Sequence, residues 1–156
     1  MKRRLALLPL ALAIFGLAVV PAAADRATNV SLTAGTHITK GDARFNGTLT
    51  WTNKSREVRV HGSLDDLCPG DGYAAGIAFF TSVDQGEFQL VDVYSTKGKC
   101  AVPPMEIERS MTSGGAKKKV TGVKILIFEA DGDRKQASTG SGWGDHFESL
   151  YFNPGK

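Results

Sequence analysis

Three aspartates surround a cysteine in the segment DDLCPGDG, residues 65–72. Calcium takes six to eight oxygen ligands, and carboxylates held close together can supply several of them. Asp65, Asp66 and Asp71 are therefore candidate metal ligands. Their spacing is not that of an EF-hand, and Asp and Gly are also common turn-forming residues. The turn interpretation is favoured, so we predict no cofactor, with calcium as the alternative.

A tryptophan, Trp143, stands near the end of a segment rich in glycine and serine, residues 137–145. Glycine lets a backbone approach a ligand closely, and tryptophan is enriched among residues that dominate binding energy. If the protein binds a ligand, we expect Trp143 to contact it, with Asp145 nearby. The alternative, which the size of the indole favours, is that Trp143 packs into the core and anchors the loop.

Lys117, Lys118 and Lys119 form the longest run of positive charge outside the N-terminal segment. They are a candidate contact for an acidic partner or polymer. Three lysines are fewer than basic binding motifs usually contain. An exposed loop or strand edge, where lysines discourage pairing with other chains, is the favoured interpretation.

Motifs for covalent, metal-dependent or nucleotide chemistry are absent from the sequence. There is no G-x-S-x-G elbow, no H-E-x-x-H, no C-x-x-C and no complete phosphate-binding loop. His37, His61 and His146 are far apart in the chain. A catalytic triad can still form in space, because triads depend on geometry and not on chain order. An enzyme is thus the less favoured class.

The first 24 residues have the pattern of a secretory signal peptide. Three basic residues, an apolar stretch over residues 5–20 and the small residues Pro-Ala-Ala-Ala follow in order. The apolar stretch is shorter than the roughly 20 residues of a membrane-spanning helix. We predict a secreted, extracellular protein whose mature chain, residues 25–156, begins near Asp25, is one domain and has no membrane span.

Export changes what the cysteines and the charge imply. In an oxidising compartment Cys68 and Cys100 most simply form a disulfide, and their spacing matches no zinc site.

The chain has 19 Lys and Arg against 16 Asp and Glu. The predicted leader contains three of these bases and no acids, so the mature chain has equal numbers. It lacks the positive charge typical of nucleic-acid binders, and no nucleic-acid partner is predicted.

Hydropathy alternates with a period of two along most of the mature chain, which is typical of β-strands. Residues 73–80 are almost wholly apolar, which predicts a central strand buried on both faces. Residues 96–116 contain Pro103-Pro104 and Gly114-Gly115 and are predicted to be irregular. No segment has a helical period. These patterns predict an all-β fold, a single antiparallel β-sandwich or open barrel of seven to eight strands. The other predicted strands cover residues 29–34, 44–51, 57–64, 87–94, 120–128 and 146–152.

The Ala- and Leu-rich leader followed by a small, Gly-rich β-domain resembles the small secreted proteins of actinobacteria that have no assigned function. The resemblance implies no site residues. We expect a non-enzymatic binding module, whose partner is an extracellular protein or a polysaccharide, since rigid β-scaffolds commonly carry function on their loops. A small secreted hydrolase is the first alternative. An inhibitor that acts through an exposed loop over residues 101–116 is the second.

Overall fold

The computed structural model describes residues 25–34, 43–67, 74–96, 103–130 and 143–154, the last stretch with side chains from residue 146. These residues form eight strands in two antiparallel sheets, which confirms the predicted all-β sandwich. One sheet has the order β1-β2-β3-β6 and the other β5-β4-β7-β8. The strands are β1 (Arg26–Ala34), β2 (Ala43–Thr52), β3 (Glu57–Asp66), β4 (Ala74–Val83), β5 (Gln89–Ser95), β6 (Met105–Thr112), β7 (Val120–Ala130) and β8 (Trp143–Phe152).

The first sheet has one apolar and one polar face, as alternation requires. Phe45, Leu49 and Val60 are completely buried against the second sheet. Neighbouring residues face solvent, where Arg44 pairs with Asp65 across the strands at 3.0 Å. The core therefore lies between the two sheets, and the outer face of the first sheet is polar.

The second sheet is buried on both faces over part of its area. Ile77 and Ile127 of its two central strands face the core between the sheets. Ala78, Leu126 and Phe128 form a smaller apolar cluster on the outer face. The predicted central strand at residues 73–80 is β4, which pairs with β5 and β7 and is buried on both faces.

The prediction of irregular structure over residues 96–116 is wrong for residues 105–112. These residues form β6, which pairs with β3 from Glu57↔Thr112 to Leu64↔Met105. Met105, Ile107 and Met111 alternate with polar residues, but the flanking Pro-Pro and Gly-Gly pairs suggested a loop. The last strand also begins earlier than predicted, because Trp143 already pairs with Ala130.

Three short turns, residues 53–56, 84–88 and 113–119, lie at the same end of the sandwich. The amide of Asp84 donates to the carbonyl of Lys119, and the amide of Ser113 donates to that of Arg56, both at 2.9 Å. The Arg26 guanidinium donates to the carbonyl of Pro154 at this end as well. In the described part of the chain, no helix has the length and apolarity needed to cross a membrane.

Candidate functional site

Asp65 and Asp66, the two aspartates of the acidic segment that the structure describes, do not share a site. Asp65 lies on the outer face of the first sheet and pairs with Arg44. Asp66 lies on the inner face, is buried, and has the Thr96 hydroxyl 3.5 Å from Oδ2. Adjacent strand residues point to opposite faces, so one ion cannot bind both carboxylates. Among the described residues, no three His, Cys, Asp or Glu side chains are grouped to hold a metal. Asp71, Cys68 and Cys100 lie outside the described residues.

The three lysines lie in the exposed turn between β6 and β7. The amide of Lys119 donates to Asp84 Oδ1 at 2.9 Å, and the carbonyl of Lys118 accepts from the Ser113 hydroxyl at 2.9 Å. The backbone of this run thus ties two turns together while the side chains of Lys117, Lys118 and Lys119 face solvent. A contact with an acidic partner remains a prediction.

Trp143 and Asp145 belong to the first residues of β8, at the opposite end of the sandwich from the three turns. Their side chains, and residues 137–142, lie outside the described part of the structure. The predicted contact between Trp143 and a ligand therefore remains a prediction.

A polar cluster on the outer face of the first sheet is the described group closest to a hydrolytic site. The Ser110 hydroxyl donates to the Glu57 carboxylate, and Arg59 Nε lies 3.0 Å from the same oxygen. The hydrogen bond from Ser110 has the largest effect in lowering the pKa of the Glu57 carboxyl group, and the hydrogen bond from Arg59 has the next largest. A carboxylate with a lowered pKa is a weak general base. His61 faces Glu108 in the strand register. The serine is thus paired with a weak base, which does not favour nucleophilic catalysis.

The second sheet carries a cleft that the sequence analysis missed. It lies where β4 turns into β5, β7 begins and β8 ends, and its volume is about 470 Å³. Small-molecule sites commonly have volumes of about 300 to 1,000 Å³. The cleft is lined by Ser82, Gln85, Gly86, Phe88, Thr121, Phe152 and Asn153.

Two phenylalanines form the apolar part of this cleft, which we call the Phe88–Phe152 cleft. Both rings approach the sheet at Gly122: a β-carbon at this position would lie 3.1 Å from Phe88 Cζ and 3.5 Å from Phe152 Cδ1. Gly122 therefore leaves the space that the rings use. Phe88 is half-buried, whereas Phe152 is 67% exposed. An exposed aromatic ring beside a concave surface is a common feature of binding sites.

The polar part of the cleft is built on the turn from Val83 to Gly86. The amide of Gly86 donates to the carbonyl of Val83 at 2.9 Å, and φ is positive at both central residues, 50° at Asp84 and 65° at Gln85. Glycine, asparagine and aspartate are preferred at such positions, so Asp84 suits its place in the turn and Gln85 does not. A left-handed backbone at another residue costs roughly 1 to 2 kcal/mol. Lys54 and Ser55, in the turn between β2 and β3, have the same left-handed backbone, with φ 56° and 68°.

Hydrogen bonds to β7 hold this turn in place. Thr121 Oγ1 accepts from the amide of Gln85 at 2.9 Å and donates to the carbonyl of Ser82 at 3.2 Å. Ser82 Oγ donates to the carbonyl of Gly86 at 2.6 Å. The side-chain amide of Gln85 makes no hydrogen bond within the described residues and faces solvent. Gln85 therefore has donors and an acceptor available to a ligand on a fixed backbone.

A row of four side chains, one of them a lysine, continues from the cleft across the outer face of the second sheet. In register order, the row consists of Leu90, Phe80, Lys124 and Leu150. Leu90 and Leu150 are 45% and 48% exposed. Lys124 Nζ lies 4.5 Å from the Phe80 ring centroid and 3.7 Å from Glu148 Oε2. The charge of Lys124 is thus partly balanced on this face.

The sequence contained a partial signal for this surface. The predicted strand over residues 146–152 has apolar residues at both even and odd positions near its end, at residues 150, 151 and 152. A strand that is polar on its solvent face does not show this pattern. The pattern does not reveal Phe88 as a neighbour, because the contact depends on the strand order. Comparisons with protein-family models, curated proteins and solved structures found no match to this chain.

Proposed function

We propose that this protein is a secreted, non-enzymatic binding module whose ligand contacts the Phe88–Phe152 cleft. The observation that carries the proposal is the exposure of Phe152 beside Phe88 in a concave site that also contains hydrogen-bonding groups. Aromatic anchors beside a few fixed polar groups are typical of ligand sites. The same face of the sheet also exposes Leu90 and Leu150.

The alternatives have weaker support in the described residues. A hydrolase requires an activated nucleophile or a suitably placed acid and base, and Ser110 donates instead to the Glu57 carboxylate. The inhibitor hypothesis relied on a protruding loop over residues 101–116. Half of that segment, residues 105–112, is β6, which is paired with β3 and therefore does not protrude.

The test is a set of NMR titrations of the isotope-labelled chain, residues 25–156. Three probe classes are added separately at millimolar concentration: neutral oligosaccharides, sulfated oligosaccharides and apolar tetrapeptides. We expect at least one class to shift the amide signals of residues 85, 88, 121, 152 and 153 in a saturable manner. Phe152→Ser should weaken that binding by about tenfold or more, since a central aromatic contact commonly contributes over 1 kcal/mol.

Phe147→Ser is the matched control. Phe147 lies on the same strand and is 50% exposed, but it faces the other side of the sheet from Phe152. This variant should bind like the unmodified protein. If no probe class shifts the cleft signals, or if Phe152→Ser binds normally, the ligand site is not this cleft.

A further inference from the structure

We propose that this protein forms a two-fold symmetric dimer in which β8 of one protomer pairs antiparallel with β8 of a second copy. The inference does not depend on the binding function proposed above, because the lining of the Phe88–Phe152 cleft comes from a single chain. It depends on the exposed apolar residues of β8, on the hydrogen-bonding groups along its open edge, and on the register in which the charges of two such strands are complementary.

β8 carries most of the exposed apolar side chains of the described residues. Four large apolar side chains are exposed there, and three of them, Phe147, Leu150 and Phe152, lie on β8. Phe147 is the least expected of the three, because it lies opposite Ile127 on the face of the sheet that packs against the first sheet. Ile127 is completely buried there, whereas Phe147 is 50% exposed. A strand added beside β8 would cover this ring.

The edge of the sheet at β8 lacks the features that protect its other edge. Among the described strands, β5 and β8 are the two edges of the second sheet. The pairing of β5 with β4 contains a register shift, and Asp92 of β5 points inward to Arg109 of β6. Bulges and inward-pointing charges discourage pairing with other chains. The described inward-pointing residues of β8 are all uncharged: Phe147, Ser149 and Tyr151.

The backbone of β8 determines which of its residues can bond to a second strand. The amide of Asn153 donates to the carbonyl of Thr121 at 3.1 Å, so the odd-numbered residues of β8 direct their backbone groups to β7. The even-numbered residues from 146 to 152 therefore direct theirs to the open edge. An antiparallel copy of β8 must then place even-numbered residues opposite even-numbered ones.

The charges of β8 select one of the remaining registers. With Phe147 opposite its own copy, His146 of each protomer lies opposite Glu148 of its partner. Moving the two-fold axis to Glu148 would place two carboxylates directly opposite each other, which is destabilising. An axis at residue 146 or 149 would leave more of both strands unpaired. The register centred on Phe147 also pairs two half-exposed aromatic rings across the axis, which is stabilising.

The contact between His146 and Glu148 is compatible with the contacts that both residues make within their own chain. Glu148 Oε2 lies 3.7 Å from Lys124 Nζ, and His146 also interacts within the chain. A carboxylate accepts several hydrogen bonds at once, and an imidazole has an N–H donor whether or not it is charged. The partner strand therefore adds an acceptable pair and does not require either residue to lose one.

The first experiment measures the mass of the chain of residues 25–156 by analytical ultracentrifugation from micromolar to millimolar concentration. We expect the mass to double as the concentration rises. Phe147→Asp should stay monomeric, because it places two carboxylates opposite each other at the axis. Leu90→Ser is the matched control, since Leu90 is 45% exposed on the other edge strand of the same sheet. This variant should dimerise like the unmodified protein.

Two further measurements test the register. Phe147→Cys should give a disulfide-linked dimer on oxidation, because directly opposite residues have β-carbons close enough for a bridge after a small shift. Ser149→Cys should not, because residue 149 lies opposite residue 145 and not opposite its own copy. Hydrogen exchange at the amides of residues 146 and 148 should slow by about tenfold or more in the dimer. The amides of residues 147 and 149, which bond to β7, should change little.

The outcomes decide the proposal even if Phe147→Asp does not fold. A chain that stays monomeric at millimolar concentration contradicts it, and so does growth into assemblies larger than a dimer. If Leu90→Ser loses the dimer as Phe147→Asp does, or if folded Phe147→Asp still dimerises, the interface is not β8. If Ser149→Cys cross-links and Phe147→Cys does not, or if exchange at residues 146 and 148 is unchanged, the register is wrong.

Discussion

Gly47 and Gly62 face each other in the register of β2 and β3, and the ring of Phe45 lies over both. This position lets Phe45 make an edge-to-face contact with Phe79 of the other sheet, with ring centroids 6.1 Å apart. Phe79 contacts Tyr94 in the same way at 6.1 Å. The two glycines thus provide the space for an aromatic contact that joins the sheets.

A β-carbon at residue 62 would have no room. It would lie 2.4 Å from the carbonyl oxygen of Asn46 and 2.7 Å from Phe45 Cζ. We expect Gly62→Ala to lower the free energy of unfolding by about 2 to 3 kcal/mol, since overpacking a core forces backbone shifts. Urea denaturation of the two proteins measures the difference.

Gly115→Ala is the control for this prediction. Its added methyl group would lie 3.6 Å from the Lys118 side chain, which is an ordinary contact. The variant should stay within about 0.5 kcal/mol of the unmodified protein. If Gly62→Ala lowers the free energy of unfolding as little as Gly115→Ala does, the Gly47–Gly62 contact is not close-packed.

Among the elements, comparing β6 with β2 and β3 shows why some strands could be predicted from the sequence and one could not. β2 and β3 were predicted because their alternation is uninterrupted. In β6 the alternation is broken at Arg109, which occupies an inner-face position opposite Val60. The position tolerates arginine because β6 is an edge strand, so Nε of Arg109 can reach Asp92 of β5 at 3.3 Å.

The position of β6 in the sheet has a direct test. Ile107 is 1% exposed, whereas its neighbour Glu106 faces solvent. We expect Ile107→Ala to lower the free energy of unfolding by about 2 to 5 kcal/mol through loss of buried contacts and creation of a cavity. Glu106→Ala should change it by less than about 0.5 kcal/mol. Similar, small effects in chemical denaturation would mean that residues 105–112 are a surface loop.

The candidate site was less predictable than the fold, and the reason is the strand order. Local alternation places Trp51 on the apolar face of β2 and His61 on the polar face of β3, and Trp51 is buried whereas His61 faces solvent. Such predictions need only local alternation. Phe88 and Phe152 meet because β7 pairs with both β4 and β8, which brings distant segments together. Local patterns contain no information on that pairing, so both residues were assigned to strands without a common site.

At the scale of the whole molecule, the predicted signal peptide ends just before the first strand. β1 begins at Arg26. Cleavage after Ala24 would leave β1 complete, and the small residues before this bond suit a signal peptidase. We expect intact mass spectrometry of protein from the culture medium to give the mass of residues 25–156, within one or two residues at the start. Recovery of the uncleaved chain in the membrane fraction would contradict this.

The contact between Arg26 and Pro154 makes the fold a natural candidate for circular permutation. A short flexible linker from residue 154 to residue 25 would join β8 to β1 without disturbing any described strand pair, because the two chain positions already lie together. New ends can be placed at Gly115, which is exposed in the turn between the sheets. In such a chain the former ends become an internal loop beside Asn153, where an attached fluorophore would report occupancy of the cleft.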